Sequence, residues 1–130
     1  MLFRSKFTKL LEDMGRHSLS EYPKEACGII TTDFEYVPVK NVSPQPKLSF
    51  IIDPLAIYKY EDKLWGFFHS HPGEDDNPIP SENDMRSTIF NEYKFLVGFK
   101  NKFYIYWFDK IMRYEPFELK HLNGEQSKNN

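Results

Sequence analysis

The strongest constraint on how this chain can fold is a change of character between Leu64 and Ser81. The run Leu64-Trp65-Gly66-Phe67-Phe68 is apolar, and it closes in His69-Ser70-His71. The next nine residues, Pro72 to Pro80, contain three prolines, Gly73 and the consecutive acids Glu74, Asp75 and Asp76. So many breakers can neither continue a strand nor start a helix, so the segment must be a loop. It ends at Ser81-Glu82-Asn83-Asp84, whose serine suits the N-cap of a helix expected to reach about Asn91. The chain is thereby committed to strand, loop and capped helix, with two histidines at the mouth of the strand.

Around this unit the pattern predicts further elements. Phe3, Phe7, Leu10, Leu11 and Met14 form one apolar stripe at helical period, with Gly15 and Ser18-Leu19-Ser20 as expected terminators. Tyr22-Pro23 should be extended. Ala26 to Thr32 reads as a buried strand, and Tyr36 to Val42, with Pro38 inside it, as an edge strand. Leu48 to Ile52 is a further strand candidate. Asp53-Pro54 is a helix start with Asp at the N-cap and Pro at the first position, the helix running to about Lys63. Lys94 to Lys100, Phe103 to Asp109 and Met112 to Leu119 are three strands of an antiparallel meander. The expected class is α+β, a three-layer arrangement of a mixed β-sheet flanked by helices. Residues 1–122 are expected to form one domain and 123–130 a polar tail.

Composition narrows the function. The 130 residues are 40% hydrophobic and 17% aromatic, too apolar for a disordered chain. With 17 Lys+Arg against 19 Asp+Glu, the formal charge of −2 argues against a nucleic-acid partner. No apolar run approaches the ~18–20 residues of a membrane span. Arg4, Lys6, Lys9, Glu12 and Asp13 interrupt the N-terminus, which therefore lacks a signal peptide's apolar stretch. A cytoplasmic protein, neither secreted nor membrane-bound, is expected. The single cysteine, Cys27, excludes an internal disulfide framework and reads as a small buried hydrophobe. His17 and His121 read as surface residues, and the aromatic run Phe103 to Phe108 as core or protein interface.

The chemistry concentrates on a few side chains. On a strand, His69 and His71 point to the same face, with Cα atoms about 6.5–7 Å apart, so both imidazoles can converge on one metal ion. Asp84 offers an anionic third ligand from the first turn of the next helix. Two histidines and one carboxylate leave a fourth position open for water, as in a catalytic zinc site. Each piece also has a structural use, Ser81 as N-cap and Asp84 as a charge favoured at the helix N-terminus. Glu25 precedes an apolar strand, an unfavourable place for a carboxylate without a partner. If that strand lies beside Leu64–His71, Glu25 stands over the open position as a general base. Metal-dependent barrel hydrolases need about 250 residues, and zinc deaminases need H-x-E and P-C-x-x-C, which the chain lacks.

Glu25, His69-Ser70-His71-Pro72 and Ser81-x-x-Asp84 together resemble the JAMM motif of the MPN/JAB metallopeptidases. Asn41-Val42, Phe50 and Asp53-Pro54 resemble the middle segment of the compact prokaryotic and phage JAB domains, including the phage tail assembly protein of the K type. The resemblance implies the MPN/JAB (cytidine-deaminase-like) fold and one zinc ion per chain, held by His69, His71 and Asp84. It also implies Glu25 as general base and Ser81 as oxyanion-stabilising residue. The implied activity is hydrolysis of a peptide or isopeptide bond in a protein or peptide substrate, in bacterial protein processing or phage tail assembly. In the phage case the location would be host cytoplasm or virion and the partners phage tail proteins. The alternative is a non-enzymatic MPN-type scaffold or tail-assembly docking factor. One departure stands out: the family usually has seven residues between the second His and the Ser, and Pro72 to Pro80 makes nine. The substrate groove is expected to differ in shape accordingly, with Glu74-Asp75-Asp76 as a solvated acidic loop.

Overall fold

A computed structural model describes residues 5–72, 77–89 and 92–119. The element order is α1 (Lys6–Glu21), β1 (Cys27–Thr31), β2 (Tyr36–Val39), α2 (Pro54–Lys59), β3 (Leu64–Ser70), α3 (Glu82–Arg86), β4 (Lys94–Phe99), β5 (Lys102–Phe108) and β6 (Met112–Glu118). A short 3₁₀ turn, Glu61–Lys63, joins α2 to β3. The six strands form one sheet in the order β2-β1-β3-β4-β5-β6, with β2 at an edge as Pro38 requires. Only the β3–β4 pair is parallel, the other pairings being antiparallel, so the sheet is mixed and the class is α+β.

Strand alternation sorts the apolar residues onto two faces. Ile30, Phe68, Leu96 and Phe103 meet Leu10, Leu11 and Met14 of α1. On the opposite face Phe67, Phe95, Val97, Tyr104 and Tyr106 gather around Met85 of α3. His69 shares the parity of Phe67, so it too lies on the α3 side. Helix, sheet and helix form the three expected layers. No helix among the described residues is long and apolar enough to cross a membrane.

Several local expectations need correction. Helix α1 does not stop at Gly15 or at Ser18-Leu19-Ser20 but runs to Glu21. Gly15 lies against the backbone of Lys100, where a Cβ would collide with the carbonyl oxygen. Ser18 is wholly buried; its hydroxyl donates to the Gly15 carbonyl at 2.7 Å and accepts from the Lys100 amide at 3.2 Å. Tertiary contact thus turns two apparent terminators into a helix–sheet junction. Phe3 lies outside the described residues, as do Glu74, Asp75, Asp76 and His121.

Leu48 to Ile52 is not a strand. It makes one isolated bridge, Asn41 with Ile52, because the Asn41 side chain captures the Ile51 amide and the Gln45 carbonyl takes the amides of Leu48 and Ser49. Helix α2 starts at Pro54 under the Asp53 cap as expected, but it buries none of its residues. Leu55 and Tyr58 on it are largely exposed, as is Leu48 before it. Helix α3 closes at Arg86 rather than Asn91: the hydroxyls of Ser87 and Thr88 turn back onto the carbonyls of Asp84 and Met85. His17, expected at the surface, is half-buried on α1 and bonded to the Tyr36 hydroxyl at 2.7 Å.

Because Gly15 touches the Lys100 carbonyl, Gly15→Ala should destabilise the protein by about 1–3 kcal/mol through overpacking, despite the better helix propensity of alanine. A urea titration followed by circular dichroism measures this; unchanged or greater stability would refute the contact.

Candidate metal and catalytic site

The site begins with the pairing of β1 and β3, which sets Cys27 opposite His69 and so brings the residues before β1 to the end of β3. One residue further out, the Ser70 amide donates to the Ala26 carbonyl at 2.8 Å, and the wholly buried Ser70 hydroxyl accepts from the Ala26 amide at 2.7 Å. Glu25 is next to this clamp. Its amide donates to the Pro46 carbonyl at 2.7 Å, and its own carbonyl accepts from Asn41 Nδ2 at 2.9 Å. Glu25 is only 6% exposed and His69 only 2%. Glu25 Oε1 stands 3.5 Å from His69 Nδ1.

The other side of His69 faces α3. Its Nε2 lies 3.5 Å from Asp84 Oδ1 and 3.2 Å from the Tyr106 hydroxyl. Asp84 divides its carboxylate: Oδ2 accepts from the Ser81 amide at 2.9 Å, while the Ser81 hydroxyl accepts from the Asp84 amide at 3.0 Å. This is a capping box with Asp at the third position. The cap therefore also holds Asp84 Oδ1 toward His69. Ser81 Oγ still carries a hydrogen that it can donate.

His71 lies beyond the end of β3, its ring centroid 6.3 Å from that of His69. Its Nδ1 lies 2.9 Å from the Ile79 carbonyl. A carbonyl only accepts, so Nδ1 carries the proton and Nε2 of the neutral ring keeps its lone pair. Metal-ligating histidines are commonly held by such a bond. The Phe50 ring stacks on His69 at 4.3 Å and 15°, walling off that side. Glu25, His69, His71, Ser81 and Asp84 line one cleft of about 220 Å³ together with Leu48, Ser49, Phe50 and Asn83.

Among the described residues no group of three His, Cys, Asp or Glu stands close enough together to hold a metal ion. The donor set nevertheless suits a divalent cation. His69 Nδ1 is buried without a hydrogen-bond partner among the described residues. Two carboxylates, 8% and 14% exposed at their side chains, flank the same imidazole, an arrangement that calls for a compensating positive charge. Drawn closer together, His69, His71 and Asp84 would offer the nitrogen and oxygen donors that such a cation takes.

Two contributors had no part in the site as read from the sequence. Tyr106, placed with the core as part of an aromatic run, contacts His69 on the site side of β5. Burial, and then the charges of Asp84 and Glu25, push its hydroxyl well above the usual tyrosine range, so it stays neutral. Asn41 binds the Glu25, Pro46 and Ser49 carbonyls through Nδ2 and the Ser43 and Ile51 amides through Oδ1, fastening the loop beside Glu25. The resemblance singled out Asn41-Val42 without giving it a role.

Residues 7–97 match the family model described as prokaryotic homologs of the JAB domain. The chain belongs to the prokaryotic JAB family. Among curated JAB-type relatives, it is 32% identical over 88 residues to a desampylase of Haloferax volcanii, covering 58% of this chain and 62% of that protein. It is 34% identical over 87 residues to a probable TtuB-protein conjugate cleaving protease of Thermus thermophilus, covering 59% and 57%. It is 34% identical over 83 residues to the tail tip assembly protein K of Escherichia phage N15, covering 58% and 32%. The JAB chain thus spans about three-fifths of the first two relatives and a third of the last.

Cys27 adjoins this JAB site but is closed off from chemistry. Burial first, then the charges of Glu25 and Glu21, push its thiol up to about 12. The unfolded thiol titrates near ~8.5, so the folded state holds its proton more tightly. Stability should therefore fall as pH rises from about 8.5 toward about 12. At pH 8, a thiol-reactive reagent should label the native protein far more slowly than the denatured one. Equal rates in stopped-flow labelling would contradict the burial.

Proposed function

We propose that this chain is a zinc-dependent JAB-type hydrolase that cleaves an isopeptide or peptide bond in a protein substrate. The observation that most directly supports this is the position of Glu25, buried 3.5 Å from His69 in the cleft lined by His71, Ser81 and Asp84. The relative named for cleaving TtuB-protein conjugates favours a protein conjugate as substrate. In this reading His69, His71 and Asp84 hold one zinc ion, which would polarise the scissile carbonyl and activate water for attack.

The protein's own groups do the rest. Glu25 takes a proton at its carboxylate from the attacking water and returns it to the leaving amine. Oε1 of that carboxylate faces His69 in the same cleft. The Ser81 hydroxyl, already fixed by the Asp84 amide, donates its hydrogen to the carbonyl oxygen as negative charge develops there. Phe50 against His69 keeps bulk water from one wall of the cleft. The Tyr106 hydroxyl and the Ile79 carbonyl fix the two imidazole rings.

The likeness to tail tip assembly protein K favours a second reading, a docking factor in phage tail assembly without hydrolysis. Glu25→Gln separates the two. As a general base rather than a ligand, Glu25 should be replaceable with zinc content and melting temperature retained, while turnover of an isopeptide-linked peptide falls by about two to four powers of ten. Wild-type turnover in the variant rules out the mechanism. Undiminished particle assembly in complementation, with no hydrolysis by either protein, supports the docking factor. Separately, the His69→Ala, His71→Ala double variant should lose the ~1 equivalent of zinc found by metal analysis, since the remaining ligand cannot hold the ion against water. Full occupancy in that variant would place the metal elsewhere.

A further inference from the structure

Beside the catalytic cleft lies a second one of about 440 Å³, lined by Lys24, Gln45, Pro46, Lys47 and Leu48. The two clefts share Leu48 as a common wall, and Lys24 directly precedes Glu25. Leu48 is 75% exposed, so a large apolar side chain stands in water at the junction. Both lysines are exposed, and neither forms an ion pair or cation–π contact with a described residue. The wall is also pre-formed, since Asn41 and the Glu25 amide hold the Pro46 carbonyl. Two unmatched cations over an apolar floor are complementary to an acidic side chain next to an apolar one.

We propose that this cleft is a specificity subsite that binds an extended segment of the protein substrate bearing an acidic residue beside an apolar one. A polypeptide that occupies the catalytic cleft and leaves over Leu48 lays its next side chains here. The apolar one rests on Pro46 and Leu48, and the carboxylate lies between the Lys24 and Lys47 ammonium groups. The subsite's place in catalysis rests on the hydrolase reading; its binding preference does not.

The test uses two fluorescein-labelled peptides that differ only in a Leu-Glu or Leu-Lys pair, titrated by anisotropy against the full chain at low and high salt. At low salt the Leu-Glu peptide should bind about threefold to tenfold more tightly, the range expected of two exposed charge pairs. The preference should shrink at high salt. It should reverse in the Lys24→Glu, Lys47→Glu double variant, while Leu48→Ser weakens both peptides. Equal affinities, binding of neither peptide, or a preference that survives the double reversal would overturn the subsite. Turnover of isopeptide-linked versions of both peptides separates the two claims. A binding preference without hydrolysis of either refutes the hydrolase reading alone. Hydrolysis with no charge preference, unchanged in the double variant, refutes the subsite alone.

Discussion

The reciprocal clamp between Ala26 and Ser70 is the constraint on which the candidate site depends. Ser70 is the middle residue of His69-Ser70-His71, and it spends both its amide and its hydroxyl on Ala26. That fixes how far β1 reaches along β3. A slip of one residue would carry Glu25 to the face covered by α1, because side chains alternate across a sheet. The histidines on either side of Ser70 are then free to face the cleft. One short tripeptide thus carries both the donors and the register that brings their carboxylate partner into place.

The two faces of the sheet have different duties. The α1 face is a continuous apolar contact from Leu10 to Phe103, where Gly15 and Ser18 bring helix and sheet close together. The α3 face combines apolar packing around Met85 with Glu25, His69, Asp84 and the Tyr106 hydroxyl at one end. Helix α3 has only five residues and is carried by its capping box rather than by length. The cap that begins the helix also aims Asp84 at His69. Local folding and site assembly are therefore one event at Ser81.

Much of this was legible in the sequence because its signals are local. Asp53-Pro54, Ser81-x-x-Asp84 and the prolines after His71 fix helix starts and a loop with little tertiary help. The place of Glu25 followed from a burial argument, an isolated carboxylate next to an apolar strand. Tyr106 was hidden because an aromatic residue in an aromatic run reads as core; only the strand register brings its hydroxyl to His69. Gly15 and Ser18 misled because their helix-breaking tendencies are overridden by contact with Lys100, which is remote in sequence. Leu48 to Ile52 has the composition of a strand but no neighbour to pair with along its length, since Asn41 takes up the backbone groups that a ladder would use.

Helix α2, with no buried residue, stands in a segment between β2 and β3 that rests on side-chain hydrogen bonds and on few buried apolar side chains, Ile52 among them. Segments with few apolar anchors open at a smaller free-energy cost than the sheet beneath them. The cleft is consequently built from parts of unequal durability: His69 lies on a central strand of the sheet, whereas Phe50 and Leu48 lie on a segment held largely by the hydrogen bonds of Asn41. Such a division lets evolution redraw one bank of the groove, by exchange or lengthening of this segment, without disturbing the fold that positions the histidines.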